Sequence, residues 1–355
     1  MENNMLEREE RIIYSLRSLY RANGYTQFKM SKFEEYDLYS KNKDFLISDG
    51  VITFTDATGK LMALKPDVTF SIIKNSAFAD SYVKRVCYNE NVYRMSQSTH
   101  DFTEIMQSGI ECIGDLDMYN ICEVLTLATN SLAIISDKYV LDLSHLGFVE
   151  GLLSDAGVVD TSEILKCIGE KNSHGLEALL GEDSENLKKL VSLYGSFDEV
   201  LPELEKLDVN ETTHAALEEL KKIAQAVDGT NIKLDFSVVN SMNYYNGIVF
   251  RGFVFGVPSV VLSGGRYDKL MKKLSKKSGA IGFAVYHDRL KYIDRNKTAN
   301  NKPVLILYSD KTDVSLINEE KQKLAESGKT FDTQRAVLSS DMYAEIIDLR
   351  NAVKE

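Results

Sequence analysis

The sequence predicts an α+β fold, an antiparallel β-sheet flanked by helices, with a helical insertion over about residues 160–229 and a small α/β segment at its C-terminal end. Three observations predict it. Residues 84–94 and 103–113 read as two long strands with alternating side chains, joined by the polar loop 95–102. Residues 160–229 are rich in Leu, Glu and Lys at helical spacing. Residues 303–355, behind the polar stretch 296–302, read as β-α-β-α. The expected domains are residues 1–300 and 301–355.

The first helix is expected from about Leu6 to Ala22, because Ile12, Ile13, Leu16, Leu19 and Tyr20 recur at helical spacing and Asn23-Gly24 supplies a stop. Residues 25–33 read as a strand. Residues 51–55 and 61–64 are short strands around Asp56-Ala-Thr-Gly59, a hairpin by its turn residues. Pro66-Asp67-Val68-Thr69 then opens a helix that Asp67 or Thr69 can cap. Beyond the insertion, residues 248–255 and 259–262 flank Gly256-Val-Pro258 as a hairpin, and Ser263-Gly-Gly-Arg-Tyr267 reads as a glycine turn. Residues 268–277 are a short helix, 279–285 a strand and 288–295 helical.

The chain has 355 residues, 44% of them hydrophobic, ample for a buried core in two or three domains. Its formal net charge of -11, from 42 basic and 53 acidic side chains, argues against a protein that holds tRNA through its phosphates, which needs a basic face. Four scattered cysteines with no CxxC pair fit neither a zinc site nor a disulfide framework, so no metal is expected. The acidic start lacks the basic and apolar regions of a signal peptide, and no apolar run is long enough to suggest a membrane span. The cell interior is the expected location.

No GxxxxGK[ST] or GxGxxG loop is present. His100-Asp101 and His287-Asp288 are isolated pairs, whereas a metal site needs several converging ligands. On the strand 103–113, Gln107 and Glu111 share a face, roughly 13 Å apart along the chain. They suit either the floor of a polar cleft or a solvated sheet edge. Tyr244-Tyr245 precedes a strand. Adjacent strand tyrosines face opposite ways, so at most one is expected to line a given pocket. Arg94 reads equally well as a surface side chain.

Taken in order, these blocks resemble class II histidyl-tRNA synthetases. Residues 20–39 resemble the first class II motif, at the dimer interface, with Ser31 where its proline stands. Lys65-Pro-Asp-Val-Thr69 resembles Arg-Pro-Glu-Gly-Thr of the synthetase, and more closely Arg-Pro-Asp-x-Thr of its regulatory paralogue. Residues 88–94 with Gln107-Ser-Gly-Ile-Glu111 resemble the second motif. Asn243-Tyr-Tyr-Asn-Gly-Ile-Val-Phe250 resembles the histidine-specific Asp-Tyr-Tyr-x-x-x-Val-Phe, and Ser263-Gly-Gly-Arg-Tyr-Asp268 the turn that follows it. Ile281-Gly-Phe-Ala-Val-Tyr-His-Asp-Arg-Leu290 resembles the third motif. The resemblance covers residues 6–295 and implies a class II synthetase-like core.

The departures carry the functional expectation. Asn240 stands where the synthetases have an arginine four residues before the tyrosine pair. The loop 95–102 has no Lys or Arg. Tyr286 replaces a glycine that leaves room beside the adenine. Of the cationic positions that bind ATP, only Arg94 and Arg289 remain, whereas Asp67, Thr69, Gln107, Glu111, Tyr244 and Tyr245 keep the histidine side of the pocket. The resemblance therefore implies the regulatory subunit family of ATP phosphoribosyltransferase: no catalytic residues and no cofactor, a histidine-like ligand in that pocket, a homodimer within a larger hetero-oligomer containing the short catalytic subunit, and no tRNA or membrane partner. The alternatives are an active histidyl-tRNA synthetase, opposed also by a tail about half the length of that family's anticodon-binding domain, and a synthetase-like module sensing an amino acid or tRNA. Residues 301–355 are expected to be at most a truncated version of that domain.

Overall fold

The computed structural model describes residues 8–42, 50–74, 82–95, 101–239, 244–294 and 302–352. The chain divides into two compact units, Met1–Leu290 and Lys291–Glu355.

In the first unit, helix α1 (Arg8–Ala22) buries Ile12, Leu16 and Tyr20, one stripe at a spacing of four. It ends where Gly24 takes a φ of 82°, a conformation open to glycine at no steric cost. The single strand expected over 25–33 is two. Strand β1 (Thr26–Gln27) and strand β2 (Phe33–Glu35) lie in different sheets. Phe28 still donates to the Cys87 carbonyl, and the chain then leaves that sheet, with Phe33 N–H donating to Ser31 Oγ at 3.1 Å. Helix α2 (Tyr36–Ser40) follows, then strands β3 (Thr53–Thr55) and β4 (Leu61–Leu64). Asp56 Oδ1 accepts from the backbone of Thr58 and Lys60 to make their turn. Together β2, β4 and β3 form a small antiparallel sheet.

Helix α3 (Val68–Lys74) is capped by Asp67, whose Oδ1 accepts from the backbone N–H of Thr69 at 2.8 Å and of Phe70 at 3.3 Å. Strands β5 (Lys84–Met95) and β6 (Phe102–Gly114) pair along their whole length. Helix α4 (Met118–Ile135) is, contrary to the sequence expectation, long and apolar enough by composition to cross a membrane. Its buried Val124, Leu125, Ala128, Leu132 and Ile135 mark it as a core helix, packed on α1 and the sheet.

Strand β7 (Tyr139–His145) and helix α5 (Leu146–Asp155) lead into helices α6 (Ser162–Gly169), α7 (Ser173–Leu180) and α8 (Glu185–Ser192), the two-residue strand β8 (Tyr194–Gly195), and helices α9 (Phe197–Glu205) and α10 (Glu211–Ala226). Strands β9 (Ile232–Asp235), β10 (Ile248–Val254) and β11 (Leu262–Arg266), helix α11 (Asp268–Lys273) and strand β12 (Gly279–Tyr286) complete the unit. Among the described residues the main sheet has nine strands in the order β1-β5-β6-β12-β11-β10-β7-β9-β8. It is mostly antiparallel, as expected, but β1 pairs with β5 and β7 with β9 in parallel.

The expected glycine turn at 263–267 is instead strand β11, and the connection before it is longer than a tight hairpin. The glycines serve close packing: a Cβ on Gly264 would strike the Gly282 carbonyl, and one on Gly265 would sit 2.8 Å from the Tyr245 ring.

The second unit begins with helix α12 (Lys291–Asp294). It then comprises strand β13 (Val304–Leu307), helix α13 (Val314–Glu326), strand β14 (Phe331–Gln334) and strand β15 (Glu345–Asp348). The final helix expected there is β15. Strand β13 is buried on both faces, so it sits centrally, and each of its edges carries a parallel partner in the order β14-β13-β15.

Candidate functional site

A polar cleft of about 390 Å³, counting the part open to solvent, lies on one face of the main sheet. Its floor comes from β6 and β12. Register places Glu111 opposite Gly282 and Gln107 opposite Tyr286. Gly282 is obligatory here, because a Cβ at that position would overlap the Glu111 carboxylate. The cleft reading of the Gln107/Glu111 face is thus the right one; both side chains are 3% exposed and line it.

Asp67 and Thr69 enter from the N-terminal turn of α3. Thr69 Oγ1 donates to Glu111 Oε1 at 2.8 Å, and the Tyr267 hydroxyl donates to Glu111 Oε2 at 2.6 Å. Burial pushes the Glu111 carboxyl up to about 8. Burial also raises Asp67, against the opposing charge of Arg94 and the α3 backbone donors. Arg94 lines the cleft with its Nε donating to the Pro66 carbonyl at 2.9 Å. Gln107 Nε2 is buried and has no partner among the described residues. It is a donor in a closed polar space, a cost of about 1–3 kcal/mol that a bound acceptor relieves.

Tyr244 and Tyr245 both line the cleft, which corrects the expectation that at most one does. They precede β10 in a turn rather than a strand, and their rings meet edge to face with centroids 4.7 Å apart. Burial raises the phenols of Tyr88, Tyr244, Tyr245 and Tyr267 well above their ordinary range, so all four stay neutral. Tyr286 stands in the wall, bonded to Ser263 Oγ at 2.6 Å through its hydroxyl. Arg289 is not among the lining residues; its Nε pairs with Asp288 at 3.1 Å. Asn240 and residues 96–100, His100 included, lie outside the described residues. His287 is buried against Ser108, and the four cysteines are buried and free.

The sequence reading missed Tyr267 and Ser263. Both belong to the glycine block taken as a turn. Reading that block as a strand paired with β12 would have turned Ser263 toward Ala284 and brought Tyr267 beside Glu111.

Glu111 gives a pH prediction. Its folded value of about 8 lies above the ordinary 4.5. In that window the folded chain holds a proton that the unfolded chain has released. Its contribution to stability therefore falls as pH rises from about 4.5 and levels off above about 8. Glu111→Gln, neutral throughout, should lose less melting temperature between acidic and mildly alkaline buffer than the wild type. Equal slopes for the two would show that Glu111 is ionised in the folded chain.

A family model described as histidyl-tRNA synthetase matches residues 2–290. ATP phosphoribosyltransferase regulatory subunits from Acetivibrio thermocellus and Clostridium kluyveri are each 30% identical to this chain, over 81% and 88% of it and 73% and 85% of their own lengths. The chain belongs to the ATP phosphoribosyltransferase regulatory subunit family. A structure from Bacillus halodurans described as ATP phosphoribosyltransferase regulatory subunit/histidyl-tRNA synthetase superposes with a TM-score of 0.71 at 25% identity, over 99% of this chain and 97% of its own. Two more distant structures share the fold. Histidyl-tRNA synthetase from Nostoc has a TM-score of 0.68 at 17% identity, over 96% and 86% of the two chains. A chain of the ATP phosphoribosyl transferase complex from Thermotoga maritima has a TM-score of 0.61 at 18% identity, over 81% and 98%. The class II synthetase-like core expected from the six blocks is therefore the observed fold, and the relatives at 30% identity are named regulatory subunits.

Proposed function

We propose that this chain is the non-catalytic regulatory subunit of an ATP phosphoribosyltransferase, which binds and activates the short catalytic subunit and relays feedback inhibition by histidine in the first step of histidine biosynthesis. Membership of the family carries this reading, and the chemistry of the cleft supports it. Two buried carboxyl groups, Asp67 and Glu111, suit an ammonium group, whose charge would offset the burial that holds Glu111 protonated. The Arg94 guanidinium and the unpartnered Gln107 amide suit a carboxylate. A free amino acid presents both, and Tyr244 and Tyr245 flank the space for its side chain.

Loss of aminoacylation belongs to the same reading. Asn240 and the loop 95–102 offer no cation for ATP phosphates. Arg289 is tied to Asp288, and Tyr286 fills a wall that the synthetases leave open. Burial in a cytoplasmic enzyme complex fits the free cysteines.

Assembly tests the partnership. The full chain alone is expected to be a homodimer through the region 20–39, and to shift to a larger complex when mixed with the short catalytic subunit. Light scattering of each alone and of the mixture reads both. A monomer at tens of micromolar would remove the dimer, and no change on mixing would remove the partnership.

A further inference from the structure

Tyr267, Tyr244 and Tyr245 reach the cleft from two short segments that lie outside the strands. Strand β11 ends at Arg266, and Tyr267 follows it directly. The tyrosine pair stands in the stretch just before β10. The Tyr245 ring lies on the bare backbone of Gly265, and the Tyr244 ring centroid is 5.8 Å from that of Tyr267. Both segments are set by bonding outside the cleft, and that bonding converges on Asp268.

Asp268 is not among the residues that line the cleft. Its Oδ2 accepts from Arg266 Nε at 2.7 Å and from Asn246 Nδ2 at 3.2 Å, and its Oδ1 accepts from the Ala280 backbone N–H at 3.0 Å. Ala280 returns a bond, its carbonyl accepting from the Tyr267 N–H at 2.8 Å. The carboxylate thus closes the β11–β12 ladder around Tyr267 after β11 itself has ended. Asn246 follows the tyrosine pair directly. Its backbone N–H donates to the Arg266 carbonyl at 2.7 Å, and its Oδ1 accepts from the Lys269 N–H at 3.2 Å. Gly279 leaves the carboxylate its room, since a Cβ there would sit 2.9 Å from Asp268 Oδ1. An acidic residue in the first turn of a helix ordinarily serves that helix. Here the three bonds to the Asp268 carboxylate come from outside α11.

We propose that Asp268 is a positioning residue for the cleft: with Asn246 it fixes Tyr267 and the Tyr244-Tyr245 pair in their binding geometry, and it touches no ligand itself. Through Tyr267 it also sets Glu111, whose Oε2 that hydroxyl holds at 2.6 Å. A cleft whose geometry is fixed in advance keeps its full affinity, whereas one that adopts it part of the time loses affinity by that fraction. The inference rests on the proposed histidine ligand and adds the residues that hold its pocket in shape. Asp268→Asn breaks the hub by chemistry rather than by size. The carboxylate accepts on both oxygens, but an amide accepts on one side and donates on the other. Whichever way that amide turns, a donor faces a donor.

Calorimetric titration of the full chain with histidine, well below its melting temperature, tests the role on the wild type, Asp268→Asn, Asn246→Ala and the double variant Asp268→Asn with Asn246→Asp. Asp268→Asn and Asn246→Ala are each expected to weaken histidine binding about tenfold, as for a geometry held about a tenth of the time. The double variant should recover most of the loss, because the new amide can donate to the new carboxylate. Asn246→Ala keeps the Arg266 and Ala280 bonds to Asp268, so it decides the matter even if Asp268→Asn does not fold. Thermal unfolding, run alongside, reads stability separately. Wild-type affinity in Asn246→Ala and in folded Asp268→Asn, with only the melting temperature lowered, overturns the positioning role and leaves the histidine reading intact. A wild-type chain that binds no histidine overturns that reading, and this role with it.

Discussion

The purified chain should make no histidyl-adenylate, so histidine-dependent ATP–pyrophosphate exchange should stay at background. Adenylation needs positive charge on the ATP phosphates and on the pentavalent transition state. Removing one preorganised electrostatic partner typically costs about a hundred- to a thousandfold in rate. Here the arginine position is Asn240, the 95–102 loop has no Lys or Arg, and Arg289 is held by Asp288. Two such losses together put the rate on the order of ten thousand- to a millionfold below a working synthetase. The Tyr286–Ser263 bond adds a steric bar, since the ring cannot swing aside without breaking it. Exchange at the rate of an ordinary synthetase would show that the chain is an enzyme.

The second large effect is expected at Glu111. Both its oxygens are held, by Thr69 and Tyr267, and it faces the cleft beneath Gln107 and Asp67. Glu111→Ala removes an acceptor for the ligand and leaves two hydroxyls without their partner. A lost charge-assisted contact is worth roughly 1.5–3 kcal/mol, or about ten- to a hundredfold in affinity. If the two sites are coupled, linkage requires the inhibited state to be the one that binds histidine more tightly. The inhibition curve of the complex should then move to higher histidine by that factor, while complex formation and basal activation persist. A histidine titration of phosphoribosyl-ATP formation by the wild-type and Glu111→Ala complexes checks this. Superimposable curves would place the regulatory site elsewhere, at the subunit interface.

Much of this site was legible before the fold. Local rules put Asp67 and Thr69 at a helix start and Gln107 and Glu111 on one strand face; the resemblance to the synthetases gathered them into one pocket, and the structure joins them through Thr69 and Glu111. What failed needed tertiary information. Gly264 and Gly265 suit a turn or a close-packed strand equally by composition; only the facing Gly282 carbonyl and the Tyr245 ring decide for the strand. Once β11 is misread, Tyr267 loses its place beside Glu111. The tyrosine pair was assigned the alternation of a strand, yet it lies in a turn, where both rings can face the same space. Residues 345–348 became a strand because β13, apolar on both faces, takes a partner on each edge.

The central claim is that this chain exists to control a partner. Its most direct test measures phosphoribosyl-ATP formation from ATP and phosphoribosyl pyrophosphate by the short catalytic subunit, with and without this chain, across a histidine titration. The account predicts that adding the chain raises the rate, and that histidine then lowers it at concentrations that leave the catalytic subunit alone unaffected. A catalytic subunit whose rate and histidine response are the same with and without the chain would contradict it.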